Sequence, residues 1–240
     1  MKFGVIQFPG SNCDQDAYFA ALNVLEQPTE YIWHESTDLA GFDCVIVPGG
    51  FSYGDYLRCG AVAALSPVMG AVKKHAAAGG LVMGVCNGFQ ILCESGLLPG
   101  ALLRNEGLRF VCKHIFMRIE NAGTRFTSAG AKGQVLRVPI AHGEGNYYCD
   151  DATLKELNGN GQVILRYCSP AGAIDRACNP NGALDGIAGI VNREGNVAGM
   201  MPHPERACEP VLGSTDGLVI LRSLLAGQGL SKGSVCLRPE

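Results

Sequence analysis

The stretch GVCNG at positions 84–88 has the residue types and spacing of a nucleophilic turn. In the same pattern with serine, two glycines allow a sharp turn from strand to helix that lifts the central side chain above the sheet. Here the central side chain is the thiol of Cys86. The alternative is a structural cysteine in a tight turn, but neither Cys44 nor Cys93 has glycines at both flanking offsets. We therefore predict that Cys86 is a nucleophile.

The predicted turn would also place stabilising groups around Cys86. The N-terminus of the following helix carries unpaired N–H groups and the positive end of the helix dipole, which favour a thiolate. The backbone N–H of Asn87 would point at a developing oxyanion, and the PGGF loop at positions 48–51 could supply a second donor because glycine lets its backbone bend. We therefore expect an oxyanion hole beside the thiol.

A thiol nucleophile needs a base, and His203 is the best placed of the five histidines. It lies in the string MPHPER, where two prolines deny a helix and favour extended backbone. Extended residues two apart point the same way, so Glu205 would lie beside the imidazole and fix its tautomer. A surface His–Glu pair is the alternative. His142, in the string AHGEGN, is the competing base because it also follows a predicted strand.

Other kinds of site lack their sequence signals. No C-x-x-C pair occurs and the histidines are scattered, so no metal site is predicted. Neither a P-loop nor a strand-linked G-x-G-x-x-G occurs, so no nucleotide site is expected on this chain. A thiol triad performs acyl transfer. The residues alone therefore predict a cysteine hydrolase acting on an amide, thioester or ester, with the acyl group left open.

Composition narrows the class of partner and the compartment. The 240 residues carry 19 basic and 22 acidic side chains, a net charge of −3, and no basic run that would bind nucleic acid or an anionic membrane. No stretch approaches the roughly 18 apolar residues of a membrane span. Eleven cysteines, an odd number, occur without an export signal, which predicts reduced thiols and a cytoplasmic location.

The first hundred residues alternate short β-branched runs with helical periodicity, which is typical of a parallel sheet covered by helices on both faces. The predicted strands are residues 2–8, 30–33, 43–47 and 81–85, and the predicted helices are residues 14–26, 67–78 and 89–94. In such sheets, ligands bind outside the carboxyl ends of the strands. The loops after Val47 and Val85 should therefore face one crevice.

The rest of the chain predicts mixed or antiparallel additions to this sheet. Its predicted strands are residues 108–119, 134–141, 162–168, 187–192 and 197–200, and its predicted helices are residues 151–157 and 214–226. We expect a single domain at residues 1–227. Residues 228–240 lack periodicity and are expected to form a loose tail.

The string GVCNGFQ with a distant PHPE resembles the class I (triad) glutamine amidotransferases, which hydrolyse glutamine and pass ammonia to a synthetase. The resemblance implies their α/β, flavodoxin-like fold, with a mostly parallel central sheet. Within this class, five strings are similar to those of the glutaminase subunits of phosphoribosylformylglycinamidine synthases, from about residue 2 to residue 217. These strings are FPGSNCD, PGGFSYGDYLRCGA, GVCNGFQIL, AHGEGNYYCDD and GMMPHPER.

The resemblance implies a role for each matching site residue. Cys86 would be the nucleophile, His203 the general base and acid, and Glu205 the group that orients His203. Gly50 and Asn87 would supply oxyanion N–H groups. The expected oxyanion and substrate-binding residues together are Gly49, Gly50, Asn87, Gln90, His142 and Gly143.

The resemblance also implies partners. L-glutamine would be hydrolysed to glutamate and ammonia, and the ammonia would pass to a large ATP-dependent synthetase subunit. That subunit converts formylglycinamide ribonucleotide to formylglycinamidine ribonucleotide in de novo purine biosynthesis, and a small bridging subunit joins the two. No cofactor is expected on this chain, since ATP and Mg²⁺ would bind the synthetase subunit. No nucleic acid or membrane partner is expected.

Three other functions compete with this hypothesis. An elbow hydrolase of another class would need no partner, but it usually places its histidine soon after the nucleophile. A glutaminase that feeds a GMP- or CTP-forming enzyme is the nearer rival, against which the string GGFSYGDYLR argues. A non-catalytic module would not need the three triad residues.

The strings HGEG and YGDYLR could line the glutamine pocket or form a partner-facing rim. The loop at residues 169–185 has no assigned role.

Overall fold

The computed structural model describes residues 1–226 of the chain. The predicted domain of residues 1–227 falls within this range except for its last residue, and the predicted tail of residues 228–240 lies outside the described residues. Within the described part, none of the helices has the length and apolar character that crossing a membrane requires.

The first half of the chain alternates strands with helices, as its periodicity predicts. The strands are β1 (Phe3–Gln7), β2 (Thr29–Trp33), β3 (Cys44–Val47) and β4 (Leu81–Val85). The helices are α1 (Asp14–Phe19), α2 (Pro67–Ala77) and α3 (Asn87–Glu94). Helix α1 continues as a π-helical stretch at Ala20–Val24. Helix α2 begins at Pro67, where a missing N–H costs nothing because the first turn has no acceptor for it.

Residues 101–226 add seven strands and two α-helices. The strands are β5 (Ala101–Leu103), β6 (Val111–Ile119), β7 (Val135–His142), β8 (Asn146–Tyr148), β9 (Val163–Cys168), β10 (Ile187–Val191) and β11 (Val197–Met200). The helices are α4 (Asp151–Gly159) and α5 (Gly217–Ser223). The side chain of Asp150 caps α4 by accepting a hydrogen bond from the Thr153 backbone N–H at 2.7 Å.

Nine of these strands form one sheet in the order β2-β1-β3-β4-β11-β10-β9-β6-β7. Strands β2, β1, β3, β4 and β11 run parallel to one another, whereas the four strands from β10 to β7 pair antiparallel. The predicted α/β sheet with mixed additions in its second half is confirmed. Strands β5 and β8 form a separate antiparallel pair that the sequence does not predict, because three-residue strands carry no periodic signal.

Helices pack on both faces of the sheet next to the GVCNG turn. On one face, α3 approaches so closely that a Cβ at Gly84 would lie 2.5 Å from Leu92, and a Cβ at Gly199 would collide with Phe89. On the other face, Ile220 of α5 lies over the side chains of Met83 and Met200. This packing fixes the ends of β4 and β11 side by side, so the loops that follow them open into one crevice.

Candidate active site

Cys86 lies at the turn between β4 and α3. Its backbone N–H donates to the Met200 carbonyl at 2.8 Å, so the sheet holds the residue up to the turn itself. Its φ of 50° and ψ of −106° are strained for a residue with a side chain, a kind of strain that concentrates at functional sites. A Cβ at Gly88 would collide with the Val47 carbonyl, so only glycine allows α3 to start this close to β3. The second glycine of the motif is therefore a packing requirement of the elbow.

His203 and Glu205 form a buried pair in the loop after β11. The Nδ1–H of His203 donates to Oε1 of Glu205 at 2.6 Å, and the two residues are 1% and 5% exposed. This bond directs Nε2 away from the carboxylate, and Nε2 has no other partner within the described residues. Nε2 is therefore free to exchange a proton with a thiol or a leaving group.

The electrostatics of His203 favour its charged form. Burial alone would lower its pKa, but the negative charges of Glu205 and of the Cys86 sulfur outweigh burial and raise the pKa above the usual 6.5. Sγ of Cys86 lies 3.6 Å from the Ala141 carbonyl oxygen. The fold thus brings the three predicted triad residues together, with the carboxylate and the sulfur both acting on the imidazole.

Two of the predicted oxyanion residues border the nucleophile. Asn87 is the first residue of α3, where backbone N–H groups have no acceptor inside the helix. Its side chain does not face the pocket: Oδ1 accepts from the Ser52 N–H at 3.2 Å, and Nδ2 donates to Gln90 Oε1 at 2.8 Å. Gly50 lines the pocket beside Cys86 with φ of 126°, a conformation that favours glycine.

Gly49 keeps the space in which the imidazole sits. A Cβ at this position would lie 2.8 Å from Cε1 of His203 and 3.1 Å from Sγ of Cys13. Any larger residue would therefore displace the base or the neighbouring thiol. Gly49 contributes room for His203, while Gly50 reaches the pocket itself.

A pocket of about 440 Å³ opens above the nucleophile. Of the residues predicted from sequence, Gly50, Cys86, Gln90, His142 and Gly143 line it. Its charged lining residues are Asp55, Arg104, Arg109 and Glu144. Groups of both signs in one cavity suit a small zwitterion better than a purely anionic or cationic ligand.

The two carboxylates of the pocket influence each other. Burial and the charge of Glu144 raise the pKa of Asp55, while a hydrogen bond from the Cys59 thiol lowers it in part. Glu144 also faces Arg104 across 3.7 Å, with the arginine largely in solvent. A ligand cation placed between Asp55 and Glu144 would relieve their repulsion, so this end of the pocket is suited to an ammonium group.

The two strings with open roles divide between the pocket and its rim. Asp55 and Cys59 of YGDYLRC line the pocket, whereas Tyr56 and Leu57 are 77% and 87% exposed. The exposed ring of Phe51 stacks on Phe110 at the pocket mouth, with ring centroids 6.4 Å apart. Both strings therefore contribute to the pocket lining, and YGDYLR also carries exposed side chains.

His142 is held differently from His203. Its Nδ1 lies 3.1 Å from Oδ1 of Asn105, and its Nε2 lies 3.5 Å from Nδ2 of Asn181. Burial and the charge of His203 lower its pKa from 6.5 to about 4. Both ring nitrogens are occupied by amides, so the geometry favours His203 over His142 as the base for Cys86.

A second thiol, Cys13 of the string FPGSNCD, also lies beside the histidine–glutamate pair, although the sequence assigns it no role. Its sulfur, a ring nitrogen of His203 and a carboxylate oxygen of Glu205 lie within 4.8 Å of one another, a set of atoms that could ligate a metal. However, the Arg206 guanidinium lies 3.1 Å from this sulfur and would repel a cation. Burial raises the pKa of Cys13 to about 12, so it is a poor nucleophile compared with a thiol at an elbow.

Comparison with known proteins places the chain in a family. The family model described as a CobB/CobQ-like glutamine amidotransferase domain matches residues 1–216. A protein of Moorella thermoacetica named phosphoribosylformylglycinamidine synthase subunit PurQ is 59% identical over 225 residues, which cover 94% of this chain and 95% of that protein. The protein of the same name from Salinibacter ruber is 59% identical over 224 residues, covering 93% and 95% of the two chains.

A solved structure supports the same assignment. A chain in the structure of PurLQS from Thermotoga maritima superposes with a TM-score of 0.84 at 44% identity, covering 94% of this chain and 98% of that chain. The chain therefore belongs to the glutamine amidotransferases and, among them, to the family of the phosphoribosylformylglycinamidine synthase subunit PurQ.

Proposed function

We propose that this chain hydrolyses L-glutamine to glutamate and ammonia as the glutaminase subunit of a phosphoribosylformylglycinamidine synthase. One observation carries the proposal: Cys86 lies at a strained elbow, beside the buried His203–Glu205 pair, at the floor of a pocket with charges of both signs. A thiol, an oriented imidazole and an oxyanion site form a minimal acyl-transfer apparatus. The family membership is consistent with glutamine as the acyl donor.

The proposed first half-reaction forms a thioester. The Cys86 sulfur attacks the carboxamide carbon of glutamine, and the Asn87 and Gly50 N–H groups stabilise the oxyanion of the tetrahedral intermediate. The imidazolium of His203 gives its proton to the amide nitrogen, the C–N bond breaks, and ammonia leaves. Glu205 stabilises that imidazolium before the transfer. The product is a glutamyl thioester on Cys86 and a neutral His203.

The second half-reaction regenerates the thiol. Neutral His203 takes a proton from water through Nε2, and the hydroxide adds to the thioester carbon. The same two N–H groups stabilise the second oxyanion. The C–S bond then breaks, glutamate leaves, and the cysteine sulfur and imidazolium are restored as the starting pair. One histidine thus serves as acid in the first step and as base in the second.

The charged side chains of the pocket are proposed to recognise the α-ammonium and α-carboxylate groups of the substrate. Asp55 and Glu144 are placed to bind the α-ammonium group of glutamine, and Arg104 and Arg109 are placed to bind its α-carboxylate. Gln90 holds Glu144 in position, because its Nε2 donates to the Glu144 carbonyl at 2.6 Å. Under this proposal, substrates that lack either charge bind less tightly than glutamine.

The ammonia is proposed to pass to a large synthetase subunit, joined through a small bridging subunit, that makes formylglycinamidine ribonucleotide. The similar chain from Thermotoga maritima belongs to a structure of PurLQS, which supports a multi-subunit assembly. The exposed side chains of Phe51, Leu108 and Phe110 at the pocket mouth are proposed to give the synthetase subunit an apolar contact surface. ATP and Mg²⁺ are proposed to bind the synthetase subunit. A cytoplasmic location completes the proposal, supported by free thiols at the ten described cysteines.

The test measures glutamate release and nucleotide amidination by the complete assembly with ATP, formylglycinamide ribonucleotide and glutamine. Replacing Cys86 with serine (Cys86→Ser) should lower glutamate release at least about a thousandfold. Added ammonium chloride should restore amidination, because partner binding does not need the thiol. Cys93→Ser, in the same helix but directed away from the pocket lining, is the matched control and should keep most activity. Glutamate release that survives Cys86→Ser would refute the mechanism.

A further inference from the structure

Three buried polar side chains lie behind the pocket wall formed by residues 141–145. Asn105, His142 and Asn181 are 1%, 2% and 1% exposed. They come from three separate segments, and Asn181 belongs to the loop at 169–185 to which the sequence assigns no role. Polar groups this deeply buried are destabilising unless they are fully hydrogen-bonded, so their partners show what they hold in place.

Asn105 uses its whole hydrogen-bonding capacity on this wall. Its Nδ2 donates to the carbonyls of His142 at 2.9 Å and Arg109 at 2.8 Å. Its Oδ1 accepts from the Gly145 N–H at 2.9 Å and faces His142 Nδ1 at 3.1 Å. The backbone partners fix which end of the amide is oxygen, so His142 Nδ1 must carry a proton.

Asn181 closes the same wall from the other side. Its Nδ2 donates to the Gly145 carbonyl at 2.8 Å and to the Tyr167 hydroxyl at 3.1 Å, and it faces His142 Nε2 at 3.5 Å. Its Oδ1 accepts from the Ala183 N–H at 3.1 Å, which again fixes the orientation of the amide. These two bonds use both hydrogens of the NH₂ group, so the contact to Nε2 is not a further hydrogen bond. A proton on Nε2 would face an amide nitrogen that cannot accept it, so the arrangement favours an unprotonated Nε2.

The clamp formed by these two amides therefore selects one neutral tautomer of His142, protonated on Nδ1 only. The groups that face the ring are the amides of Asn105 and Asn181, with the neutral phenol of Tyr167 beyond Asn181 and the imidazole of His203 across the pocket floor. Burial and the charge of His203 both lower the pKa of His142, in agreement with the hydrogen-bond pattern. A second proton would place two donors against each other at Nε2.

The clamped wall carries three contacts to the reaction site. The Ala141 carbonyl oxygen lies 3.6 Å from Sγ of Cys86, the Glu144 carbonyl accepts from Gln90, and the Glu144 carboxylate faces the pocket. We propose that Asn181 is a positioning residue of the glutamine pocket, which acts through neutral His142 and through Gly145 to hold Glu144 against its substrate. This role rests on the proposed glutaminase function for its kinetic consequence, but the clamp itself can be tested without it.

The kinetic test compares two buried asparagines. Asn181→Ala should raise the KM for glutamine about tenfold in the complete assembly while kcat changes less than about threefold, since the triad lies on other segments. Asn196→Ala is the matched control: Asn196 is also buried and donates to the carbonyls of Ala76 and Gly80, far from the pocket lining. It should destabilise the fold to a similar extent with KM unchanged. An unchanged KM in Asn181→Ala, or the same KM change in both variants, would overturn the proposal.

A spectroscopic test reads the clamp directly. In protein carrying ¹⁵N-labelled histidine, Nε2 of His142 should remain unprotonated from pH 5 to pH 8. Asn181→Asp replaces the facing donor with a carboxylate, so the second proton should then bind His142 near neutral pH. If the His142 signal in the unsubstituted protein titrates near pH 6.5, the clamp is refuted. This readout requires no glutamine turnover, so it decides the clamp independently of the glutaminase proposal.

Discussion

Two regions of the sheet each hold a buried histidine close to Cys86, and the two histidines are held in opposite ways. His203 follows the last strand of the parallel half and bonds a carboxylate, whereas His142 ends an antiparallel strand and is held between two amides. They are 1% and 2% exposed. With equal burial, the pKa of His203 is raised and that of His142 is lowered to about 4. At equal burial the partners therefore decide the difference: the charges beside His203 outweigh the effect of burial on its pKa, whereas the amides around His142 do not.

The two regions also differ in where strain is placed. In the parallel half, Cys86, the proposed nucleophile, occupies a positive-φ backbone conformation next to glycines whose space the packing requires. In the antiparallel half, His142 continues a regular strand and the cost of burial is offset by saturated hydrogen bonds. The backbone of the first region is strained at Cys86, whereas the backbone around His142 is regular and fully hydrogen-bonded. The pocket between them is therefore bordered by the proposed proton-transfer residues on one side and by a hydrogen-bonded wall on the other.

Replacing each histidine with glutamine tests the contrast between them most directly. His203→Gln should lower kcat/KM for glutamine hydrolysis at least about a thousandfold, because the acid and base of both half-reactions are lost. His142→Gln should lower it about tenfold or less, because only the support of the wall is weakened. Both are measured as glutamate release by the complete assembly. Equal losses in the two variants would identify His142 as a second participant in proton transfer.

The site residues of the parallel half can be predicted from sequence because the residues that mark them lie close together in the chain. The glycines around Cys86 encode the elbow within five residues. His203 and Glu205 lie together as predicted, but the extended backbone expected between them is wrong. Pro204–Arg206 form a short 3-10 helix, which proline permits at its first position because no N–H is needed there. The parallel half of the sheet follows from alternating periodicities in the same way. The pairing order of the strands is not predictable by these means, since it depends on contacts between distant segments.

The residues that hold His142 in the antiparallel half cannot be predicted from sequence, because they come together only in the folded chain. Asn105 and Asn181 are separated from His142 by 37 and 39 positions. Asn105 belongs to none of the strings that carry the resemblance, and the short match around residues 179–182 assigns no contact to Asn181. Asp55 and Glu144 also belong to different loops, but the strings YGDYLR and HGEG already mark both as candidates for the pocket that they line. The sequence predicts His142 as a pocket residue or competing base, but its tautomer cannot be read without its two amide partners.

The pH dependence of stability should separate the two histidines with opposite signs. The pKa of His142 falls from 6.5 to about 4 on folding, so its stabilising contribution is complete above pH 6.5 and is lost as the pH falls toward 4. Between pH 7 and pH 5, the unsubstituted protein should lose about 2 kcal/mol more free energy of unfolding than His142→Gln. The raised pKa of His203 acts in the other direction, stabilising the fold below pH 6.5 and losing that effect as the pH rises.

Urea unfolding at the two pH values provides the measurement. His114→Gln, at an exposed position of β6, controls for the loss of one imidazole and should follow the unsubstituted protein closely. Parallel pH curves for His142→Gln and the unsubstituted protein would show that His142 titrates normally in the folded state. That result would remove the contrast between the two histidines.

The smallest expected effect concerns the strain in the parallel half. At a φ of 50° and a ψ of −106°, glycine is tolerated better than alanine, so Cys86→Gly should be more stable than Cys86→Ala by about 1 kcal/mol. Cys93 in α3 gives the opposite-sign control, since glycine in a helix is about 1 kcal/mol less stable than alanine. Urea midpoints at constant m-value measure both differences. A lower stability of glycine at both positions would mean that the elbow stores no strain, and that the reactivity of Cys86 depends on its electrostatic surroundings alone.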